Sequence, residues 1–506
     1  MAERTTLLTS EVLGIKTAAL ESASALVLWV LAGEGFLMRP SIIAQCLAAL
    51  GLPTEGGVSG LCVRTSFDRF DLLQSPDVWG RDPADGSGSQ VSEGIPELPP
   101  GSRLLLETLE EVVAGAAQLV DIATLEPFAS GDFAAAIRRG LDRAAGRSRN
   151  LTVRILYGRH RFTSQSDADF EAFILELASG LAAEAGVVIQ ACRMETSNHP
   201  QRPSWNHAKI VAVDGRDAIV GGHNLWHADY LGFAPVHDLS ARVDGLAAKE
   251  AHNFLDRLWD WVAREAVTPS GAGRLTLIHW AEGRIVPASP LVRPSLPEPP
   301  PGRTAALVVG RLGTGVLADP RLANIGAAIP VVAFRQATSS IRISQMDFGF
   351  HWDGQNYWSS DLVAALADVL TATDRSVEIS LVLSEPGAKT AGGGPYSFGT
   401  TLEDIVAEMR RVVGGRRLTG RMRLAPLRFS PTGDRWVGKG LDLKIINHAK
   451  LWMVDDRVFH IGSDNLYPHN LQEFGYVVES EDVAREVLSA YWEPLWRYSS
   501  RVAVSV

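Results

Sequence analysis

The sequence contains little cysteine: three residues among 506, namely Cys46, Cys62 and Cys192. An odd number without a Cys-x-x-Cys pair excludes a disulfide framework and a cysteine-based zinc site. Small buried side chains are the ordinary role of such free cysteines. This pattern is typical of a protein that folds in a reducing compartment.

Long apolar runs are also missing. No stretch reaches the roughly eighteen uncharged apolar residues that a membrane-spanning helix requires, so we expect no span. The N-terminal region lacks the features of a secretory leader, because Glu11, Lys16 and Glu21 interrupt its apolar stretch. We therefore expect a cytoplasmic protein, with peripheral membrane association and secretion by another route left open.

Positive charge is in deficit, with 48 Lys and Arg against 58 Asp and Glu and a net charge of −10. Nonspecific binding to nucleic acid needs a cationic surface that displaces counterions, so we expect no nucleic-acid partner. A small positive pocket remains compatible with this balance. The 46% of hydrophobic residues in a chain of this length can form a large core and two or more domains.

What the sequence does contain is one short polar pattern that occurs twice. Each copy reads Asn-His-Ala-Lys, then four residues and an Asp, and ends six residues later in a glycine-containing turn followed by Asn. An internal repeat of this kind indicates two copies of one structural unit. The first copy contains His207, Lys209, Asp214, Gly222 and Asn224, and the second contains His448, Lys450, Asp455, Ser463 and Asn465.

Around both copies, apolar strands alternate with amphipathic helices. This alternation predicts the α/β class, with a mixed β-sheet flanked by helices in each half. In the first half we predict strands at 119–123, 151–156, 187–191, 208–213 and 218–221, and helices at 104–118, 132–145 and 167–184. In the second half we predict strands at 341–345 and 377–383, and helices at 361–370 and 402–413.

Composition divides the chain into four parts. Residues 1–56 have apolar residues at helical spacing and are predicted to form a helical N-terminal extension, which packs on its neighbour or lies on a membrane. Residues 294–302 are rich in proline and are predicted to be a stiff linker. The two motif-bearing halves then span 57–293 and 303–506.

The pattern suits chemistry on a phosphoryl group. His and Lys two residues apart on a strand point to the same face, and the Asn after the turn can fold back beside them. Two facing copies would surround one point with two lysines and two asparagines, which are donors for an anion with several oxygens. One histidine could attack phosphorus while the other protonates the leaving oxygen. No metal or other cofactor is needed, because the lysines already neutralise the phosphate.

Each histidine also needs a partner on its second nitrogen. Asp238 and Glu473 follow the two motifs within apolar runs, where an unpaired charge is costly. We expect them to orient the histidines, with Glu473 beside His448. Asp214 and Asp455 lie at tight turns, where aspartate braces the backbone, so we expect a structural role for them.

Two weaker signals are interpreted as structural. His223 and His227 have the spacing of a metal pair on a helix, but no third ligand lies nearby, so we expect no metal. Trp352, Tyr357 and Trp358 form an aromatic cluster that we expect to pack in the core or at a rim, with contact to acyl chains as the alternative.

The duplicated His-x-Lys-(x)4-Asp motif resembles the signature of the phospholipase D superfamily. The resemblance extends over residues 57–506 and is closest to the secreted phospholipases D of actinobacteria. It implies a two-lobed, pseudo-twofold α/β fold with the active site at the lobe interface. The segments that carry the resemblance beyond the motif are Val120–Phe128, Ile343–Asp347, Gly392–Ser397, Ile461–Pro468 and Leu471–Ser480.

The same resemblance implies roles for individual residues. His207 corresponds to the nucleophile and His448 to the general acid, and the two carboxylates that orient them correspond to Asp238 and Glu473. Where this chain has Glu473, the family usually has Asp. The residues implied to contact the phosphate are Lys209, Lys450, Asn224 and Asn465. Gly222 and Ser463, in the same turns, are also predicted to bind the substrate.

Our first functional hypothesis is therefore a monomeric phospholipase D-type phosphodiesterase. It would cleave the distal phosphodiester bond of a glycerophospholipid through a phosphohistidine and transfer the phosphatidyl group to water or an alcohol. The alternative is a biosynthetic phosphotransferase of the same superfamily with a non-lipid or unusual acceptor. The acidic charge disfavours a nuclease, and two intact motifs disfavour an inactive lipid sensor.

Overall fold

The structure is a computed structural model that describes residues 40–53, 56–82, 98–148, 150–160, 164–181, 186–199, 201–268, 274–287 and 290–506. Two large mixed β-sheets, each with helices packed against it, make up this part of the chain. One copy of the polar pattern lies in each sheet. The predicted α/β class, with a mixed sheet and flanking helices in each half, is confirmed.

The elements of the first half, in chain order, are α1 (Ile42–Ala49), β1 (Gly57–Val58), β2 (Cys62–Phe67), β3 (Phe70–Ser75), α2 (Pro100–Ala114), β4 (Leu119–Leu125), α3 (Gly131–Ala145), β5 (Thr152–Gly158), α4 (Asp167–Leu177), β6 (Val188–His199), β7 (Arg202–Trp205), β8 (Lys209–Val213), β9 (Asp217–Gly221), α5 (His227–Tyr230), β10 (Asp238–Asp244), α6 (Gly245–Glu265), β11 (Leu275–Ala281) and β12 (Arg284–Val286).

The second half contains β13 (Thr304–Arg311), α7 (Pro320–Ala323), a 3-10 turn (Ile325–Ala328), α8 (Ile329–Arg335), β14 (Ser340–Ser344), β15 (Gly349–Trp352), β16 (Gln355–Trp358), α9 (Ser360–Leu370), β17 (Glu378–Leu383), α10 (Leu402–Val413), β18 (Arg421–Pro426), β19 (Arg435–Gly438), β20 (Leu441–Lys444), β21 (Leu451–Val454), β22 (Val458–Gly462), β23 (Glu473–Glu479), α11 (Glu481–Val487), a π-helical turn (Leu488–Trp492), α12 (Glu493–Ser499), a 3-10 turn (Ser500–Val502) and β24 (Val504–Ser505).

The two sheets share a duplicated core of six strands. In the first sheet the spatial order is β6-β5-β4-β8-β9-β10, and in the second it is β18-β17-β14-β21-β22-β23. The first three strands of each set are parallel, and the rest join antiparallel. This repeat of order and direction is the structural counterpart of the repeated motif. It gives the molecule its pseudo-twofold, two-lobed form.

Strand β8 shows how the sequence positions the first motif. All five of its residues are buried, because helices cover both faces of the strand. Ile210 and Ala212 belong to the apolar core on the α6 side, whereas Val211 and Val213 belong to the core on the α2 side. A strand covered on both faces needs a continuous apolar run, and the chain has such a run directly after Lys209. The α6-side core also contains residues of the second sheet, so the lobes pack directly on each other.

The N-terminal boundary of the first lobe differs from the expected one at residue 57. Strand β2 pairs with β13 of the second sheet, whereas β3 pairs with β10 of the first. Helix α1 also belongs with the second lobe, because Glu479 of β23 accepts hydrogen bonds from Ser41 and from the backbone of Ile42. The segment from α1 to β3 therefore ties the lobes together. The apolar stripe predicted between residues 13 and 31 lies outside the described residues.

The proline-rich segment 294–302 connects β12 of the first sheet to β13 of the second and has no helix or strand. Its Glu298 pairs with Lys249 of α6, and the preceding Arg293 pairs with Asp260 of the same helix. The three cysteines are free and buried. Within the described ranges, no helix combines the length and apolar character needed to cross a bilayer.

Asp214 and Asp455 both brace the start of a central parallel strand. Each lies in a turn with φ of 52°, a left-handed conformation that aspartate tolerates. The carboxylate of Asp214 accepts three backbone N–H groups just before and at the start of β4. That of Asp455 accepts the N–H groups of Thr338, Ser339 and Ser340 at the start of β14.

We predict that Asp455→Asn lowers the free energy of unfolding by about 1–3 kcal/mol at pH 7, since three backbone N–H groups lose a charged acceptor. Burial alone would raise the pKa of Asp455, but its hydrogen bonds outweigh burial and lower that pKa. Its stabilising contribution is therefore present above the unfolded pKa of about 3.9 and is lost as the pH falls through the folded pKa. Urea unfolding of both proteins at several pH values measures the difference.

Asp353→Asn is the matched control, because Asp353 is an exposed turn residue with a φ of 50°. Its free energy of unfolding should stay within about 0.5 kcal/mol of the parent. A loss in Asp455→Asn no greater than in this control would contradict the bracing role.

Candidate active site at the lobe junction

Both motifs lie at the junction of the lobes, immediately before a central strand. The backbone N–H of His207 donates to the carbonyl of Gln472 at 2.9 Å, and that of His448 donates to the carbonyl of His237 at 2.7 Å. Gln472 directly precedes β23, and His237 directly precedes β10. Each motif histidine is therefore tied through its backbone to the opposite lobe.

The carboxylates orient the histidines crosswise. His207 Nδ1 lies 2.9 and 3.0 Å from the two carboxylate oxygens of Glu473, and His448 Nδ1 lies 2.6 Å from Asp238 Oδ2. The expectation that Glu473 stands beside His448 is therefore wrong. The reason is topological: each acid opens a strand directly after the residue that bonds to the other lobe's motif. Sequence proximity to a motif does not decide which histidine an acid reaches.

The two carboxylates differ in charge state. Burial is the largest influence on each and acts to raise its pKa. Around Asp238, the charges of Lys450 and His448 outweigh burial and hold the pKa of this acid well below its usual range. For Glu473, burial prevails and raises the pKa to about 7. Asp238 is thus an anion at neutral pH, whereas Glu473 exchanges a proton near neutrality.

Both motif histidines are neutral at pH 7. Burial lowers the pKa of His207 well below its usual value, and the nearby charges of Lys209 and Lys450 lower it further. Burial likewise lowers the pKa of His448 to about 3, with Lys450 as the next cause. Because lysines of both motifs act on the same imidazoles, the two motifs form one electrostatic unit. With each Nδ1 held by a carboxylate, each Nε2 is the nitrogen available for chemistry.

The two motif lysines are both buried. Lys209 Nζ donates to the carbonyl of His207 at 2.5 Å, and Lys450 Nζ donates to the carbonyl of His448. Burial lowers the pKa of Lys209 well below its usual value and lowers that of Lys450 to about 8, although Asp238 and Glu473 oppose the latter shift. A buried cation is stabilised by a counter-charge. The pair therefore favours entry of an anion.

The turns after the motifs support the carboxylates in two ways. Gly222 lies against Asp238 so closely that a Cβ at this position would collide with the carboxylate. Ser463 occupies the matching position in the second motif, and its hydroxyl donates to Glu473 Oε2 at 2.5 Å. Through these contacts, Gly222 and Ser463 help to position the carboxylates of Asp238 and Glu473. Their role as substrate-binding residues stays a prediction.

Asn224 and Asn465 are both buried at the ends of these turns. The side-chain oxygen of Asn224 has no hydrogen-bond partner among the described residues. A buried amide oxygen without a partner is costly in a folded protein and often marks a group that a ligand completes. The role of these amides as phosphate contacts stays a prediction.

Several residues at the site were missed in the sequence. The hydroxyl of Tyr230 donates to Asp238 Oδ2 at 3.0 Å and lies 3.1 Å from His448 Nδ1. The ring of Tyr396 lies edge-on to His448 with centroids 5.0 Å apart, and its hydroxyl donates to Asp229 at 3.0 Å. Tyr396 stands within one of the segments that carry the family resemblance, which was the available signal. Tyr230 had no such signal.

Asp464, His469 and Glu473 place one ligand-type atom each within 4.8 Å of one another. The guanidinium of Arg311, however, donates to Asp464 at 2.9 Å and lies 3.0 Å from His469 Nε2. A metal ion there would face this positive charge. The cluster is therefore better described as an ion-paired network than as a metal centre.

The spacing of His223 and His227 does not bring them together on one ligand. His223 is buried, with Nδ1 2.8 Å from Ser240 Oγ and Nε2 2.9 Å from Ser75 Oγ. His227 is partly exposed and faces Asp132 at 3.5 Å. The aromatic cluster is divided as well: Trp358 packs against the core, while Trp352 is 67% exposed on the β15–β16 hairpin.

The chain is similar in sequence and in fold to several known proteins. No protein-family model matches the chain. Phospholipase D of Streptomyces antibioticus is 31% identical in an alignment that covers 89% of this chain and 86% of that protein. Cardiolipin synthase A of Pseudomonas fluorescens (strain SBW25) is 36% identical over 88 residues, 16% of this chain and 18% of that protein. The crystal structure of phosphatidylserine synthase from Haemophilus influenzae Rd KW20 superposes with a TM-score of 0.51 at 13% identity, covering 88% of this chain and 89% of the other.

A duplicated mixed sheet with two crosswise His–carboxylate pairs and two buried lysines defines a phosphodiester-processing enzyme. The chain belongs to the phospholipase D superfamily, as its duplicated motif indicated. The superfamily comprises phosphodiesterases and phosphotransferases, and this protein is one of its enzymes.

We predict that inorganic phosphate stabilises the protein through the buried lysines. Phosphate at ten times its Kd should add about 1.4 kcal/mol to the free energy of unfolding, because it binds only the folded site. Lys209→Ala and Lys450→Ala should each lose most of this gain. Since burial lowers the pKa of Lys450 to about 8, the gain should also decline as the pH rises above 8. Thermal unfolding with and without phosphate measures it.

Lys439→Ala serves as the control, because Lys439 is exposed at the turn between β19 and β20. It should keep the full stabilisation by phosphate. Equal stabilisation of Lys450→Ala and the parent protein would show that phosphate binds elsewhere.

Proposed function

We propose that this enzyme cleaves the distal phosphodiester bond of glycerophospholipids through a phosphohistidine and transfers the phosphatidyl group to water or an alcohol. The single observation that carries the proposal is the crosswise pairing of His207 with Glu473 and of His448 with Asp238 at one junction. It supplies two oriented imidazoles and two ammonium groups around one site. This is the set of groups that a two-step displacement at phosphorus requires.

In the first step, the lone pair on His207 Nε2 forms a bond to phosphorus. The bond from phosphorus to the head-group oxygen breaks, and that oxygen takes a proton from His448 Nε2. His448 is neutral before substrate enters, because burial and Lys450 lower its pKa to about 3. An anionic phosphodiester beside Lys209 and Lys450 offsets their charge and raises the proton affinity of His448. His448 Nε2 therefore takes up one proton from solvent as the substrate binds, and this is the proton that it gives to the leaving oxygen.

In the second step, His448 Nε2 takes a proton from water or an alcohol as that oxygen attacks phosphorus. The bond between His207 Nε2 and phosphorus breaks, and the imidazole is neutral again. Water yields phosphatidic acid, and an alcohol yields a new phospholipid. All proton transfers then run through one histidine, so the other remains unprotonated for attack.

The unequal carboxylates support this division of roles. Asp238 is ionised at neutral pH, since Lys450 and His448 overcome the effect of burial on its pKa. A fixed anion stabilises the imidazolium that a general acid must form, which suits His448. Burial raises the pKa of Glu473 to about 7, so its pair with His207 holds less negative charge. A pair of this kind suits an imidazole that attacks in its neutral form.

The proposed substrate class rests on the relative that is similar over most of this chain, which is named phospholipase D. The exposed Trp352 on the β15–β16 hairpin adds an apolar contact that a lipid surface can accept, so we include peripheral membrane contact in the proposal. Phospholipid and an alcohol or water are then the two reactants. No cofactor enters the scheme.

His207→Ala should form no covalent adduct and lose at least about 10³-fold in kcat, because the nucleophile is missing. His448→Ala should accumulate the phosphorylated protein with a substrate whose leaving group needs no protonation, such as a p-nitrophenyl phosphodiester. Intact-protein mass spectrometry after rapid quenching detects the adduct, and peptide mapping locates it.

His351→Ala provides the control, since His351 is exposed on the β15–β16 hairpin and should retain parent activity. An adduct mapped to His448 would reverse the assigned roles. An active His207→Ala would exclude His207 as the nucleophile.

The substrate test offers phosphatidylcholine vesicles with and without ethanol and tracks the lipids by mass spectrometry. We expect phosphatidic acid without ethanol and phosphatidylethanol with it. Turnover of bis-p-nitrophenyl phosphate with no lipid product would instead indicate a phosphotransferase with a non-lipid acceptor. Cleavage of plasmid DNA alone would indicate a nuclease.

A further inference from the structure

A buried network joins the second motif to the loop between Asn465 and β23. Arg311 donates to Asp464 Oδ1 at 2.9 Å and to the carbonyl of His469 at 3.0 Å. His469 Nε2 lies 2.9 Å from the same Asp464 oxygen and 3.1 Å from the carbonyl of Asn465. The N–H of Leu471 donates to His469 Nδ1 at 3.3 Å. The His469 imidazole thus bridges Asn465 and Leu471, which lie on the two sides of this loop.

The first motif has no equivalent of this network among the residues that the structure describes. His223 occupies the position that Asp464 occupies in the second motif, and its two ring nitrogens contact the hydroxyls of Ser240 and Ser75. Burial lowers the pKa of His223 to about 4, so this group is neutral at pH 7. The charges of an arginine and an aspartate therefore lie behind the His207–Glu473 pair, whereas a neutral histidine stands at the matching position of the other pair.

The network ends at the carboxylate that orients His207. His469 Nδ1 lies 3.8 Å from Glu473 Oε1, and Glu473 itself contacts His207 Nδ1. Burial raises the pKa of Glu473, and the nearby carboxylate of Asp464 raises it further. Asp464 also raises the pKa of His207.

Other charged or titratable groups also face Glu473 from the surrounding elements. Lys209 lowers its pKa, and the hydroxyl of Ser463 lowers it through a hydrogen bond. The set on the elements packed around Glu473 is His207, Lys209, Lys450, Arg311, Asp464, Tyr467 and His469.

We propose that His469 is a positioning residue for His207, because with Arg311 and Asp464 it fixes the loop that ends at Glu473 and thereby holds the carboxylate that orients the imidazole. The proposal rests on the proposed role of His207 as the nucleophile. It predicts an effect on orientation, which two variants of His469 can test. Gln keeps an amide that can donate to Asp464, whereas Ala keeps neither this donor nor the ring.

The first measurement is independent of turnover. The proton between His207 Nδ1 and Glu473 should give a downfield NMR signal, assigned by its loss in Glu473→Gln. We expect this signal to shift or broaden in His469→Ala, and to do so less in His469→Gln. It should be unchanged in Asn470→Ala, the matched control, because Asn470 lies in the same loop but bonds to Thr314 and to the carbonyls of Arg202 and Pro203.

The second measurement is the pH dependence of kcat/KM. Its acid limb reports how readily the Glu473–His207 pair binds a proton. Asp464→Asn should move it to lower pH, because a negative charge is lost. Misorientation should also lower kcat by about 10- to 100-fold in His469→Ala with little change in KM, and His469→Gln should recover part of it.

The outcomes distinguish the positioning role from the proposed function. An unchanged NMR signal in His469→Ala, or an equal loss of kcat in His469→Ala and His469→Gln, would overturn the positioning role. Thermal unfolding identifies a variant that has simply lost its fold, and His469→Gln then carries the comparison. A displaced signal in a protein that turns over no phosphodiester would retain the positioning role while the proposed function fails.

Discussion

Two histidine–carboxylate pairs, each built from both lobes, hold the site and the junction together. Asp238 reaches His448 across the junction, and Glu473 reaches His207 in the other direction. All four side chains are buried, and an isolated charge in such a place costs several kcal/mol unless it is paired. Because neither lobe contains a complete pair, separating the lobes would leave each acid without the imidazole that it orients. The site therefore forms only when the two lobes pack together.

The duplication provides two copies of the site, and small differences make them unequal. The sheets repeat the same order of six strands, and the motifs repeat the same offsets. Within that frame, Gly222 corresponds to Ser463 and His223 to Asp464. The second copy gains a hydroxyl on its acid and an Arg311–Asp464 ion pair nearby. One acid is then firmly ionised and the other titrates near neutrality, which is the difference that two distinct catalytic roles need.

Local patterns predicted much of the regular structure. Helix α10 begins and ends where its apolar spacing and its Thr401–Asp404 capping box place it, at Leu402 and Val413. Helix α2 begins earlier than predicted, at Pro100, because proline is well suited to the first turn of a helix. The assignment of β2 could not be predicted, since its partner β13 lies more than two hundred residues away. Nothing within a short strand reveals which sheet it joins.

For the site, the repeated spacing by itself determined that two His–Lys pairs occupy equivalent positions in two copies of one unit, since polar residues seldom recur at strand starts without a shared role. The structural role of Asp214 and Asp455 could also be predicted from the local sequence, because aspartate is common at tight turns. Only the tertiary structure decided which acid meets which histidine, that Tyr230 and His469 stand behind those acids, and that the two carboxylates carry different charge. These properties depend on burial and on distances between residues far apart in the chain, and both exist only once the two lobes have packed.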